Sequence, residues 1–169
     1  SDLASHLTEL RGVLSKSILH VRLSFRSPKG ASSRQMMRGD RDEDDSDKGT
    51  ERDVLGVVLP GNKLLILEEM KPRTTARLER IMAMVDGKPV QARFLASLKD
   101  FGALVAVGEG NLGPGIAISE GDLANHLDVL MLRADIVMQG ENRVDYVRPG
   151  RIGGMKLGAK GRYYPELLD

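Results

Sequence analysis

Residues 56–72 read GVVLPGNKLLILEEMKP, in which two short apolar runs flank the cluster Pro60-Gly61-Asn62. Proline, glycine and asparagine are the residues that tight turns prefer. Short apolar runs bounded by such clusters are typical of antiparallel strands. The stretch therefore predicts a strand over 54–59, a turn at 60–62 and a second strand over 63–67.

Similar strand signals lie on both sides of this stretch. Apolar residues alternate with polar ones in ILHVRLSF (18–25), and LERIMAMV (78–85) ends at Asp86-Gly87, a dipeptide that favours a two-residue hairpin. The further strands predicted in this part of the chain cover 90–95 and 103–107. Evenly spaced strands separated by turns are typical of a barrel or sandwich, so we expect an all-β fold.

The two ends of the chain have a different texture. Residues 1–17 carry leucines at a spacing of three and four, which predicts an amphipathic N-terminal helix; these leucines are Leu3, Leu7, Leu10 and Leu14. After residue 108 a glycine-rich segment (108–115) predicts a loop. Weaker strand candidates follow at 129–132, 136–138 and 144–147.

The polar stretch 26–53 separates the first strand from the next. Its middle reads GDRDEDDSDKGTERD and has no apolar periodicity, so it cannot bury enough surface to offset the entropy of ordering it. We expect a mobile acidic loop. The expected organisation is a helix over 1–17, a first barrel over 18–108 that carries this loop, and a second region over 109–169.

Composition excludes several classes of protein. Hydrophobic residues make up 41% of the 169 residues, enough for a core, while the net charge of +1 supplies no broad field for nucleic acid. Cysteine is absent, which excludes disulfides, thiolate metal sites and a cysteine nucleophile. No apolar run approaches the ~20 residues of a membrane span, and none has the pattern of an export signal. We expect no cofactor.

Three stretches, in order, resemble the trypsin-like serine proteases of the HtrA/Deg branch. Residues 56–72 resemble the strand, turn and strand before the family's catalytic His, and residues 81–107 its DG hairpin and the strand that begins at the catalytic Asp. Residues 144–165 (VDYVRPGRIGGMKLGAKGRYYP) are similar to the nucleophile loop and the hairpin after it. The resemblance implies a complete first barrel and an abbreviated second one.

The resemblance also fixes which residues occupy the catalytic positions. The His position falls on Met70, the Asp position on Phe101, beside Asp100, and the Ser position falls on Ile152. Serine-protease chemistry needs an imidazole base, a carboxylate to orient it and a hydroxyl nucleophile, and these side chains supply none of them. The glycines of the nucleophile loop remain, and we expect them to preserve a tight turn rather than to bind an anion; they are Gly150, Gly153 and Gly154.

The resemblance therefore implies a pseudoprotease, a catalytically inactive domain that acts as a binding, scaffold or regulatory module. It further implies a protein partner or a homo-oligomer, with the helix and the acidic loop as contact elements, and an extracytoplasmic location. Two alternatives stay open. One is a hydrolase with a displaced site, such as His126 with Ser119; the other is a small β-barrel binding module unrelated to proteases.

Other candidate sites are weaker than these. His6, His20 and His126 are isolated along the sequence, whereas a metal site usually needs two imidazoles in a cluster. The acidic run 40–47 lacks the register of a calcium-binding loop, and the segment 108–115 lacks the Lys-Ser/Thr ending of a phosphate loop. The basic residues of the tail are expected to lie on a solvated hairpin; they are Arg148, Arg151, Lys156, Lys160 and Arg162.

Overall fold

Strands dominate the computed structural model, which describes residues 2–27, 50–121, 127, 130–139, 142–158, 161 and 163–168. The all-β prediction with an N-terminal helix is confirmed. The elements are α1 (Asp2–Ser17), β1 (Ile18–Phe25), β2 (Glu51–Leu59), β3 (Lys63–Ile66), α2 (Pro72–Thr75), β4 (Leu78–Val85), β5 (Lys88–Leu98), a 3-10 turn (Lys99–Phe101), β6 (Ala103–Gly108), β7 (Leu130–Gln139), β8 (Asn142–Leu157) and β9 (Tyr163–Leu168).

The first six strands form a closed antiparallel barrel in the order β1-β2-β3-β6-β5-β4, with β4 pairing back to β1. Because successive strand residues point to opposite faces, the alternation in β1 sends Val21 and Leu23 into the barrel, where both are fully buried. Side chains from all six strands fill the interior, including Val58, Leu64, Ile66, Ile81, Ala92 and Ala106. The barrel is therefore a packed core without a lumen.

Two predicted turns close hairpins of the barrel. Asp86 and Gly87 adopt positive φ values of 49° and 75°, the conformation that a two-residue hairpin needs. Gly61 and Asn62 adopt φ values of 81° and 57° between β2 and β3. The predicted turn at 60–62 is therefore confirmed.

Asn62 also holds the glycine-rich segment that follows β6. Its amide nitrogen donates to the carbonyl oxygens of Gly108 (3.1 Å) and Gly110 (2.9 Å), and its amide oxygen accepts from the backbone N–H of Leu112 (3.0 Å). The fully buried Leu112 side chain joins the barrel core. This segment is thus an ordered part of the barrel, fixed by one side chain.

The second sheet contains three strands in the order β7-β8-β9, all antiparallel. The predicted strands 129–132 and 136–138 are one strand, because the pairing with β8 continues without a shift through Arg133 and Asp135. β8 is far longer than the predicted 144–147. β9 was not predicted as a strand.

The chain divides into two compact units, Lys16–Ile116 and Ser1–Ser15 with Ala117–Asp169. The strand β2 begins at Glu51, so the predicted loop boundary at residue 53 is wrong by three residues. Residues 28–49, which carry the acidic run, lie outside the described residues, and their mobility stays a prediction. Within the described part of the chain, no helix has the length and apolar character to cross a membrane.

Candidate functional site

Met70, which the sequence resemblance assigned to the His position, is part of the barrel core. Its side chain is 6% exposed and packs in the same cluster as Ile66 and Leu104. The segment leading to it is fixed on both sides: the Leu67 N–H donates to the Leu55 carbonyl (3.0 Å), and Arg52 pairs with Glu68 (3.3 Å). This position is therefore closed to solvent and filled by an apolar side chain.

Phe101, which the sequence resemblance assigned to the Asp position, is exposed, in contrast to Met70. It ends the 3-10 turn and is 71% exposed, and Gly102 follows it in a left-handed conformation with φ of 60°. A Cβ at Gly102 would stand 3.6 Å from the Cβ of Glu69. The segments that carry Met70 and Phe101 are therefore neighbours within the barrel unit.

Ile152 lies inside β8, and the turn expected around it is absent. β8 runs from Asn142 to Leu157, and the register of its pairing with β9 shifts between Ile152 and Gly154. None of the three glycines in this stretch has a positive φ. A Cβ at Gly153 would overlap the Leu168 side chain of β9, so this glycine serves close strand packing rather than a nucleophile turn.

The expectation that these glycines preserve a tight turn is therefore wrong. Gly150 and Gly153 allow the neighbouring strands to approach β8 closely. A Cβ at Gly150 would lie 3.2 Å from the Cβ of Arg133, whereas a Cβ at Gly154 would face open space. A strand does not direct consecutive N–H groups at one point, as an oxyanion hole requires. The assignment of Ile152 to the Ser position stays a prediction, and its side chain is 4% exposed.

One imidazole–carboxylate pair does occur in the described part of the chain, on the outer face of the barrel. His20 Nε2 lies 2.7 Å from Asp53 Oδ1, and Arg22 Nε donates to the same oxygen at 3.1 Å. Burial raises the pKa of Asp53, but the hydrogen bonds from His20 and Arg22 outweigh it and hold the pKa below its ordinary value. The pair was not predicted from the sequence, because Asp53 was placed in the loop and the three histidines are isolated along the sequence.

The hydroxyl on the same face of β1 does not reach this pair. Ser24, the hydroxyl on the same face of β1, is four residues from His20, about 13 Å along the strand. Arg22 donates to the same Asp53 oxygen that contacts His20. These contacts join β1 to β2.

Of the displaced site, the structure describes Ser119 and not His126. Ser119 is exposed and its hydroxyl accepts from the Gly121 N–H (3.2 Å), while His126 lies outside the described residues. In the ranges that the structure describes, no three His, Asp or Glu side chains cluster as metal ligands. In the tail, Arg148 pairs with Asp135 and Lys156 with Glu166; Lys160 and Arg162 lie outside the described residues.

No protein-family model matches the chain, and no curated protein matches it either. Solved structures do match. The HtrA-type protease AlgW with decapeptide superposes with a TM-score of 0.52 at 12% identity, over 92% of this chain and 49% of that one. The Rv3671c protease from M. tuberculosis, in its active form, superposes with a TM-score of 0.53 at 12% identity, over 98% of this chain and 70% of that one.

At this level of identity the likeness concerns the fold. The chain spans about half the length of the first structure and 70% of the second. The closed six-stranded barrel followed by a smaller sheet is what the resemblance in the sequence implied. The chain therefore has the trypsin-like fold of the HtrA-type proteases, with a complete first barrel and an abbreviated second sheet.

Proposed function

We propose that this chain is a catalytically inactive trypsin-like domain that works by binding protein, as a scaffold, a regulatory module or an assembly element. The observation that carries the proposal is the burial of Met70 in the barrel core. A catalytic imidazole must reach substrate and exchange protons with it. A thioether packed against aliphatic side chains does neither.

The neighbouring segments support this proposal. Phe101 is brought beside the Met70 segment but carries no ionisable group, and Asp100 next to it is exposed. Buried polar and charged groups cost stability, so an apolar residue at a position without catalytic use stabilises the barrel. The pattern is that of an active site whose polar groups have been replaced.

A role in protein binding is supported by apolar side chains that the fold leaves exposed. In the barrel unit Phe101 is 71% exposed, Leu67 52% and Leu95 48%. Ala103 pairs with Leu98 and Leu104 with Ile66, so the segments carrying Leu67 and Phe101 lie at the same end of neighbouring strands. Exposed apolar surface of this kind is typical of protein-interaction sites.

The test is labelling of the purified chain with a biotinylated fluorophosphonate, together with a casein-cleavage assay, using trypsin as the positive control. We expect no labelled serine and no cleavage. Labelling of Ser119 that is lost in His126→Ala would establish the displaced hydrolase site and overturn the proposal. The extracytoplasmic location implied by the resemblance stays a prediction.

A further inference from the structure

The strand β7 stands at the edge of the second sheet. Among the strands that the structure describes it pairs only with β8, over its whole length from Leu130 to Gln139. Alternate residues of such an edge direct their backbone N–H and C=O groups away from the sheet. A ten-residue edge is long for a natural protein, which normally keeps edges short, charged or covered.

The sequence of β7, LMLRADIVMQ, is complementary to itself in the antiparallel direction. Hydrogen-bonded and non-hydrogen-bonded pairs alternate along an antiparallel ladder, so a two-fold axis must place one residue opposite its own copy. With Ala134 on the axis, Arg133 faces Asp135 of the second copy. Met131 then faces Val137, and Leu132 faces Ile136.

The other central registers are unfavourable. An axis at Arg133 sets two guanidinium groups opposite each other, and an axis at Asp135 sets two carboxylates opposite each other, which is destabilising across strands. Moving the axis further shortens the paired length. Charge and overlap therefore select the register centred on Ala134.

The side chains of Arg133, Asp135 and Arg148 lie on one face of the sheet and alternate in charge. Asp135 accepts from Arg133 Nε (2.8 Å) through one oxygen and from Arg148 Nε (2.9 Å) through the other. A second copy would place the same three groups alongside, positive opposite negative. Val137 and Tyr146, which are 42% and 55% exposed, lie on the same face of the sheet and would extend into a continuous surface.

We propose that two copies of this chain associate through β7, antiparallel, about a two-fold axis at Ala134, to form a continuous six-stranded sheet. The proposed function leaves the binding partner open, and this interface makes a second copy of the chain that partner. The dimer depends on β7 alone, so self-association and the loss of catalysis are tested by separate measurements.

The most direct test uses the absence of cysteine from the chain. Opposing residues of an antiparallel pair have Cα atoms about 4.5 to 5.5 Å apart, within the range that a disulfide spans. Ala134→Cys should therefore form a covalent dimer under mild oxidation. The matched control is Val137→Cys, whose two copies would stand about 20 Å apart in this register and should stay monomeric on a non-reducing gel.

A second test exchanges the charges and measures mass by sedimentation equilibrium across a concentration series. Arg133→Asp alone and Asp135→Arg alone should each raise the dimer dissociation constant about tenfold or more, because like charges face each other. An equimolar mixture of the two variants should associate again, since every pair across the axis is then opposite in sign. Restored association also shows that both variants are folded.

Three results would overturn the proposal: a wild-type chain that is monomeric at every concentration, equal cross-linking of Ala134→Cys and Val137→Cys, or a mixture of charge variants that does not reassociate. An edge that captures an extended peptide of another protein would give the first result.

Discussion

The barrel and the second sheet are built from the same kind of strand but are stabilised differently. In the barrel each strand has a neighbour on both sides, and fully buried side chains such as Leu23, Leu64 and Ile66 meet in one core. In the sheet the described side chains are mostly half-buried or exposed, and Ile152 is the buried large one among them. Ion pairs line its strands instead, between Arg133 and Asp135 and between Arg143 and Asp145.

This difference shows that closing a sheet into a barrel changes how much its side chains contribute to stability. A closed barrel buries every second residue without an exposed edge, so stability follows from aliphatic packing. An open sheet keeps edges and two partly solvated faces, and exposed ion pairs add little stability to it. The edge of the sheet is accordingly available for pairing with a second copy, whereas the barrel has no edge strand and fixes the fold.

The largest expected effect comes from truncating a leucine in the barrel core. Leu64→Ala should lower the free energy of unfolding by about 2–5 kcal/mol, because Leu64 is fully buried and the cavity cannot collapse freely. The same truncation in the sheet, Leu157→Ala, removes a side chain that is 63% exposed and should change stability by less than about 0.5 kcal/mol. Urea denaturation of both variants measures the difference.

Equal losses for Leu64→Ala and Leu157→Ala would break the comparison between the two regions. They would mean that the sheet buries its side chains as fully as the barrel does. A loss confined to Leu64→Ala, with an unchanged urea dependence, would assign the global stability to the barrel.

A smaller effect is expected at the polar clamp of the barrel. Asn62→Asp removes both donors to Gly108 and Gly110 and sets a carboxylate against their carbonyl oxygens, which should cost about 1–3 kcal/mol. The matched control is Asn111→Asp, because within the described residues the Asn111 amide oxygen accepts from the Gly113 N–H (2.9 Å), and a carboxylate oxygen accepts equally well. Thermal unfolding should separate the two, and equal losses would show that Asn62 is not the residue that holds the segment.

The sequence predicted the barrel better than the sheet for a physical reason. β1 and β4 were placed residue for residue, because one buried face imposes a period of two on their apolar side chains. β8 carries Pro149 and three glycines in its middle, so its pattern indicated a turn. Its ladder is set by pairing with β7 and β9, which no local pattern reveals.

The sequence-based prediction of the candidate site shows the same difference between the barrel and the sheet. Met70 and Phe101 were assigned in the barrel, and the structure brings their segments together. The turn around Ile152 was expected in the sheet and is absent. Gly153 allows the Leu168 side chain to approach β8 closely. The two residues are distant in sequence, so only the fold defines this contact.

The smallest expected effect is electrostatic, and it compares one aspartate from each region. The folded-state pKa of Asp53 lies below its ordinary 3.8, since hydrogen bonds from His20 and Arg22 outweigh the opposing effect of burial. The unfolded state therefore takes up its proton first, so the contribution is present above about pH 4 and is lost as the pH falls through the lowered pKa. Asp53→Asn should reduce stability at pH 6 by less than about 1 kcal/mol, because solvent screens the pair, and the deficit should shrink toward pH 3.

Asp135 is the matching aspartate of the sheet. Desolvation raises its pKa, but the hydrogen bonds from Arg133 and Arg148 outweigh this effect and lower the pKa below its ordinary value. The stability deficit of Asp135→Asn should therefore also shrink as the pH falls. Urea titrations at a series of pH values measure both, and a deficit that grows on acidification would reverse the sign argued for either pair.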